Sequence, residues 1–520
     1  MGKSNVRPIC VGRTLLIVLS LCCAAERLPA QERPFVESFA QNPIQPTAAE
    51  QSLAPLPSNA VQFAAPGANA AGSLPPNLGP PPQATPPAFV PAANAASSLP
   101  APISVAQSGN PAPFPPPPPP ALDKKTGKVE EPWVDMSSEK WTVKLGGHVQ
   151  LDYINWANAS PSIPNTMDYF EFRRLRLVAD GAGYGVYDFR LQMTLEPETI
   201  GEQAPGIVMS PDVKDAYFSL NEIPWLGRFR IGNFFVPYSL EQVTNDTNNI
   251  FLERSIPTQG VFAADREVGF AFYNCNQAQT VTWTYGMFFD SISDAIKERI
   301  DDNQGYRLSG RVTYLPYYDE PSNGRYLVHT GAGVLHTDDQ DNRLRFRARP
   351  QIHEGPRVID SGAFDGDTYT TGNLEGAVVW ANFAVQTEAF LSSVNRIGAE
   401  NVTISGAYIH FSYFLTGENR IYERFGQHGA QFGRNVPYSN VFAVPGCWSL
   451  GAWEAKARWS NLDLNQLAAG QYNDFTVGFN WYWSDRTRVM FDWIHPYTSA
   501  NAVFGATQAD ILGMRFDFNW

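Results

Sequence analysis

The chain has 520 residues and a formal net charge of −13, with 38 basic against 51 acidic side chains. That balance excludes general nucleic-acid binding through phosphates, which needs a basic surface. Charged residues make up only 17% and aromatics 13%, a composition suited to β-strands and to aromatic girdles at a membrane interface.

Arg7 and Arg13 flank the start of an apolar run at 15–25. A charged segment followed by an apolar run too short to span a membrane predicts a signal peptide over 1–30, cleaved after Ala25 or Ala30. Lipid modification of Cys22 or Cys23 is disfavoured, because Leu21 stands where a small residue is expected. The mature chain keeps Cys275 and Cys447, either one disulfide or two buried thiols; spacing does not decide between them. No later stretch offers about 18 apolar residues in a row. The exported chain is therefore expected to be a soluble protein outside the inner membrane or a β-barrel.

Residues 31–132 are rich in Pro, Ala, Asn and Ser, with an unbroken proline run from Pro115 to Pro120. Few aromatics and no periodicity predict a disordered, extended periplasmic spacer of polyproline character. The alternative is a proline motif that binds a partner in the cell envelope.

After Trp133 the composition changes, and 133–520 reads as one all-β domain. Val143, Leu145, Gly147, Val149, Leu151 and Tyr153 alternate with Lys144, Gly146, His148, Gln150 and Asp152. The same period of two recurs at Tyr187–Met193 and Leu308–Tyr314, and at the end in Leu512, Met514, Phe516, Phe518 and Trp520. Short connections are expected at 180–185, 221–227, 274–280, 316–325, 381–382 and 484–487. Long ones are expected at 155–169, 196–212, 237–265, 290–305, 337–370, 392–404, 460–473 and 496–509. Outer-membrane barrels show this asymmetry between periplasmic turns and external loops. It predicts a transmembrane antiparallel β-barrel of about 16 strands, with the terminal strand closing onto 143–153. One connection, 416–448, is long where a short turn is due.

Arg343, Arg345, Arg347 and Arg349 alternate with Leu344, Phe346 and Ala348, so an extended segment would align four guanidiniums on one face. Such a row is either a solvated loop face or a guide for anions in a pore. A second cluster, Arg173, Arg174 and Arg176, opens a strand. Asp338, Asp339 and Asp341 lack an EF-hand pattern and read as a solvated turn. The seven histidines show neither HExxH nor paired-ligand spacing, and no nucleophile or nucleotide motif occurs in the right context. No catalytic chemistry, metal or cofactor is expected.

Several segments resemble the phosphate-selective porin O and P family: Phe172-Arg173-Arg174-x-Arg176, Val213-Lys214-Asp215-Ala216-Tyr217 and Arg230-Ile231-Gly232-Asn233-Phe234. Further matches are Glu253-Arg254-Ser255, Arg266-Glu267-Val268-Gly269 and the block from Tyr413 to Tyr422. Gly451-Ala452-Trp453-Glu454, Arg458-Trp459-Ser460 and Gly478-Phe479-Asn480-Trp481-Tyr482 complete the match, which covers nearly all of 141–520. The resemblance implies a homotrimer in the outer membrane, with loops and one periplasmic turn folded into the lumen. It also implies a pore-lining arginine ladder for small anions such as phosphate, at Arg173, Arg174, Arg343, Arg345, Arg347 and Arg349. The chain departs from phosphate-selective members in one respect: its 237–265 loop has no Lys and only Arg254. The expected function is passive diffusion of small hydrophilic solutes, with anions favoured. The alternatives are a non-selective porin and an attachment protein anchored by its barrel.

Overall fold

A computed structural model describes residues 134–135, 140–196, 212–289, 305–441 and 449–520. The expected signal peptide, the Pro-rich tract and Cys447 lie outside the described residues; Cys275 is buried.

Sixteen antiparallel strands form one closed barrel. In chain order they are β1 (Trp141–Ala159), β2 (Tyr169–Gly183), β3 (Tyr187–Thr194), β4 (Asp212–Ile223), β5 (Gly227–Phe235) and β6 (Arg266–Cys275). Next come β7 (Val281–Phe288), β8 (Tyr306–Tyr318), β9 (Tyr326–Asp338), β10 (Phe364–Trp380) and β11 (Phe383–Arg396). The last five are β12 (Val402–Phe414), β13 (Ala452–Asp463), β14 (Gln471–Tyr482), β15 (Thr487–Thr498) and β16 (Ala509–Asn519). Each strand pairs with its sequence neighbour, and β16 pairs back onto β1 from His148↔Asn519 to Ala159↔Ala509. Two short strands, Val134–Asp135 and Arg343–Leu344, add to the rim. Closure leaves no unpaired edge strand, which is what lets a wall of strands stand in lipid.

The faces are inverted relative to a soluble sandwich. On β16, Leu512 and Met514 are 47% and 40% exposed, whereas Arg515 and Asp517 are each 1% exposed. On β8, Leu308, Val312 and Tyr314 point outward while Arg307, Ser309, Arg311 and Thr313 are buried. An apolar outer belt around a polar interior suits a wall bathed in lipid and rules out the soluble alternative. Met514 lies at the middle of β16, so Met514→Arg is expected to cost about 2–4 kcal/mol. Urea unfolding of protein folded into phospholipid vesicles measures this; a cost near zero would contradict a lipid-facing Met514.

The expected alternation of connections is present, with two corrections. The connections expected to be long at 392–404 and 460–473 are only 397–401 and 464–470. Pairing such as Val394↔Val402 and Asp463↔Gln471 continues the ladder into segments whose polar composition reads as loop. Strands can project past the apolar belt, where water tolerates polar side chains on both faces. His329 and His336 both lie within β9, the first buried and the second half-buried.

Candidate functional site: the constricted lumen

Two connections fold back into the barrel interior. The first, 236–265, joins β5 to β6 on the long-loop side. Glu388 of β11 anchors it by accepting from Ser239 Oγ at 2.9 Å, Leu240 N at 2.7 Å and Glu241 N at 3.1 Å. From β16, Arg515 Nη1 donates to Leu252 O at 2.5 Å, and from β13 Arg458 Nη1 donates to Glu253 O at 3.0 Å. Lys456 Nζ donates to Ile250 O at 2.5 Å, and an Asp492 carboxylate oxygen accepts from Leu252 N at 2.9 Å. Two wall glycines let the loop seat. A Cβ on Gly513 would lie 2.3 Å from Leu252 Cδ1, and one on Gly406 would lie 2.8 Å from Pro257 Cβ.

The second connection, between β12 and β13, is the long one on the short-turn side. Its strands Tyr422–Gly426 and Gly429–Phe432 pair as a ribbon. The ribbon contacts the wall through Tyr422 Oη and His329 Nδ1 at 2.7 Å, and through Arg311 Nη1 donating to Ala430 O at 2.9 Å. Arg228 Nη1 donates to Gly426 O at 3.1 Å, and Gln427 Nε2 donates to Tyr217 Oη at 2.6 Å. Burial, then the guanidiniums of Arg230 and Arg190, hold the His428 imidazole well below its usual pKa. Its Nδ1 faces Arg230 Nη1 across 3.4 Å. The ribbon meets the first loop where Phe432 N donates to Thr244 Oγ1 at 3.4 Å and Asn248 Nδ2 donates to Phe432 O at 3.4 Å. The lumen is thus narrowed from both ends, which explains the connection that breaks the turn rule.

The polar face of the wall is a lattice of ion pairs. Arg515 Nη2 lies 2.6 Å from Asp152 and 2.9 Å from Glu253. Lys456 pairs with Asp492 at 2.6 Å, Arg488 with Asp517 at 2.9 Å and Arg311 with Glu375 at 2.9 Å. The candidate ladder divides into two settings. Arg173 and Arg174 sit on β2 facing the first loop, Arg173 2.7 Å from Glu253 and Arg174 3.3 Å from Asp246. Asp246 also takes Arg254 at 2.8 Å and Arg176 at 3.0 Å. Burial opposes the charge of Asp246, but Arg174, Arg254, Arg176 and Arg266 hold its carboxyl well below the usual range. Glu253 is likewise buried and held low by Arg173, Arg174 and Arg515.

Arg343, Arg345, Arg347 and Arg349 lie on no barrel strand. They belong to the 339–363 connection between β9 and β10, on the long-loop side. Leu344, Phe346 and Ala348 are buried in the apolar cluster beneath, and the arginines take the outer positions. Arg345 pairs with Asp360, and Arg349 Nη2 is 4.0 Å from Glu354. Arg343 and Arg347 have no carboxylate partner among the described residues. Burial, then Arg349 and Arg347, push the neighbouring Arg357 down to about 10, a sign of crowded positive charge. The same connection dips inward at Gln351, whose Nε2 donates to Ser460 Oγ at 2.7 Å and whose Oε1 accepts from Arg458. The six candidates are therefore not one continuous ladder: two are paired at the constriction and four line a loop above it.

The family described as "Phosphate-selective porin O and P" has a model that matches residues 143–520. The chain belongs to this family. It is an outer-membrane porin. An uncharacterized protein of Caulobacter vibrioides is 26% identical over 418 residues, covering 75% of the porin and 78% of that relative. Porin O of Pseudomonas aeruginosa is 22% identical over 409 residues, covering 70% of the porin and 85% of that protein. Among solved structures, the trimer form of OmpT, an outer membrane protein of Vibrio cholerae, aligns at 10% identity with a TM-score of 0.46. That alignment covers 74% of the porin and 100% of OmpT. The outer membrane channel DcaP of Acinetobacter baumannii aligns at 9% identity with a TM-score of 0.46, over 74% and 99% of the two chains.

Sequence reasoning missed most of the lattice partners. Glu388, Lys456, Arg488 and Asp492 carry no motif of their own. The available signal was a charged residue on the polar face of a strand whose other face is apolar.

Proposed function

We propose that this porin passes small hydrophilic solutes by passive diffusion and favours small anions such as phosphate, the preference arising mainly at its outer mouth. The reading rests on the solvent face of Arg343, Arg345, Arg347 and Arg349, where, among the described residues, Arg345 pairs with Asp360, Arg349 stands 4.0 Å from Glu354, and Arg343 and Arg347 have no carboxylate partner. A face of guanidiniums raises the local concentration of anions and offers forked donors to phosphate or carboxylate. The bonds of Gln351 to β13 carry that face toward the lumen. Each contact stays weak enough for release because the face is wet. Family membership supports a homotrimer. The proline-rich segment would extend into the periplasm and reach cell-envelope components.

A non-selective porin is the second reading, and one observation favours it. Arg173 and Arg174, the wall arginines of the family motif, are already paired with Glu253 and Asp246. Reversal potentials in planar bilayers under a KCl gradient separate the two readings. The intact porin should prefer chloride, and Arg345→Ala with Arg347→Ala should lower that preference about twofold or more, since one unit charge a few ångströms away in water is worth roughly 1 kcal/mol. A cation-selective intact channel, or a double variant with unchanged selectivity, would sink the anion reading.

A further inference from the structure

We propose that Glu171, His353 and Glu354 form a divalent-metal site at the outer mouth, taking a borderline ion such as Zn2+ and pinning the arginine loop to the barrel wall. One ligand atom from each of the three side chains lies within 4.8 Å of the others. His353 Nδ1 is 2.8 Å from Glu171 Oε2 and 3.8 Å from Glu354 Oε1. These separations are close to those that bracket a tetrahedral ion with bonds of about 2.0–2.2 Å to nitrogen and oxygen. One imidazole and two carboxylates are a donor set that Zn2+ accepts readily, with water completing the shell.

A second observation points the same way. Glu171 is only 8% exposed, and its Oε1 is buried without a hydrogen-bond partner while Oε2 meets His353. A buried carboxylate oxygen left unpaired costs free energy that a bound cation would offset. The frame is also prebuilt. Tyr169, two residues before Glu171 on β2, uses its hydroxyl twice on the Glu354 backbone. It donates to Glu354 O at 3.2 Å and accepts from Glu354 N at 3.1 Å. This fixes the turn that carries His353 and Glu354 before any metal arrives, which lowers the ordering cost of binding. Arg349 Nη2 opposes a cation, but it is 4.0 Å from Glu354 Oε2, whereas the oxygen 3.8 Å from His353 Nδ1 is Oε1. Nothing in the sequence announces the site, because Glu171 is 182 residues from His353.

The test uses the full chain folded in detergent, stripped with a chelator and dialysed against Zn2+ at neutral pH. The expected result is a single tightly held Zn2+ per chain, lost in both Glu171→Gln and His353→Ala. His336→Ala should keep it, since that half-buried imidazole on β9 contacts Thr370 and stands outside the cluster. Heat-modifiable migration on gels confirms that each variant is folded. Should His353→Ala fail that check, His353→Gln replaces it, keeping a polar side chain of similar reach. Co2+ gives an independent readout through its visible absorption, which should change with His353→Gln. Absence of bound Zn2+ in the intact protein, full retention by folded Glu171→Gln and His353 variants, or an unchanged Co2+ spectrum would each overturn the proposal.

Discussion

Replacing residues 419–435 with a short Gly-Ser linker is expected to raise single-channel conductance several-fold. A barrel of this strand number is wide enough for an aqueous channel unless something fills it. The ribbon Tyr422–Gly426/Gly429–Phe432 is what fills its short-turn half, and its residues are largely buried against the wall. Removing it should not collapse the wall, because the ladder runs continuously through β8, β9 and β10 beneath it. The wall groups it leaves also keep partners: Arg311 holds Glu375 at 2.9 Å, and His329 Nε2 lies 3.5 Å from the same carboxylate. The first loop loses two hydrogen bonds to Phe432, at Asn248 and Thr244, and the packing of Leu240 in the cluster with Tyr422, Ala430 and Phe432, but keeps its anchors at Glu388, Arg515 and Lys456. Conductance is read in planar bilayers on protein that still shows heat-modifiable migration. A folded deletion variant with the conductance of the intact porin would show that current does not pass the ribbon.

The barrel was legible because its physics is local. Period-two alternation depends only on neighbouring residues, so β1, β3, β8 and β16 could be read from the chain alone, and loop asymmetry supplied the topology. The closing partner of β16 followed from the requirement that no edge remain. The lumen was not legible for the opposite reason. Asp246 meets Arg174 and Arg176 across some 70 residues, and Arg515 meets Asp152 across more than 360. Such pairs are set by how far a loop sinks into a cylinder, and small glycine sites such as Gly513 decide that. The arginine row shows both sides of this. Its alternation placed Leu344, Phe346 and Ala348 beneath and the guanidiniums above, and its position within the expected 337–370 connection marked it as a loop, yet nothing local told which carboxylates it would meet.

The paired state of the constriction also explains how a chain with an acidic surplus can keep so many buried guanidiniums. Each loop carboxylate serves several of them. Asp246 neutralises the cluster of Arg174, Arg176 and Arg254, and Glu253 joins Arg173 to Arg515. The loop is therefore both a plug and a counter-charge. Removing its acids, with its shape retained, exposes the positive wall to the permeating ion.

That predicts the largest change in selectivity. Asp246→Asn with Glu253→Gln should shift the reversal potential strongly toward chloride. At about 4 Å in water one unit charge is worth roughly 1 kcal/mol, a factor of about five in local anion concentration, so two such charges should produce a change well beyond twofold. The effect should shrink in about 1 M salt, where the screening length falls to roughly 3 Å. The amides keep the side-chain outline, and the backbone anchors at Glu388 and Lys456 are untouched, so conductance should stay similar while selectivity moves. If conductance rises and the reversal potential stays fixed, the loop has detached and the counter-charge account fails. Acid offers the same test without mutation. Both carboxyls have folded pKa values depressed below the usual range, so their stabilisation is present above that range and is lost only as pH falls through the depressed values. Selectivity should then be flat from neutral pH down to about 5 and turn toward anions only below the ordinary carboxylate range near 4. A shift already complete at pH of about 5 would mean that these two groups are not held by the arginines around them.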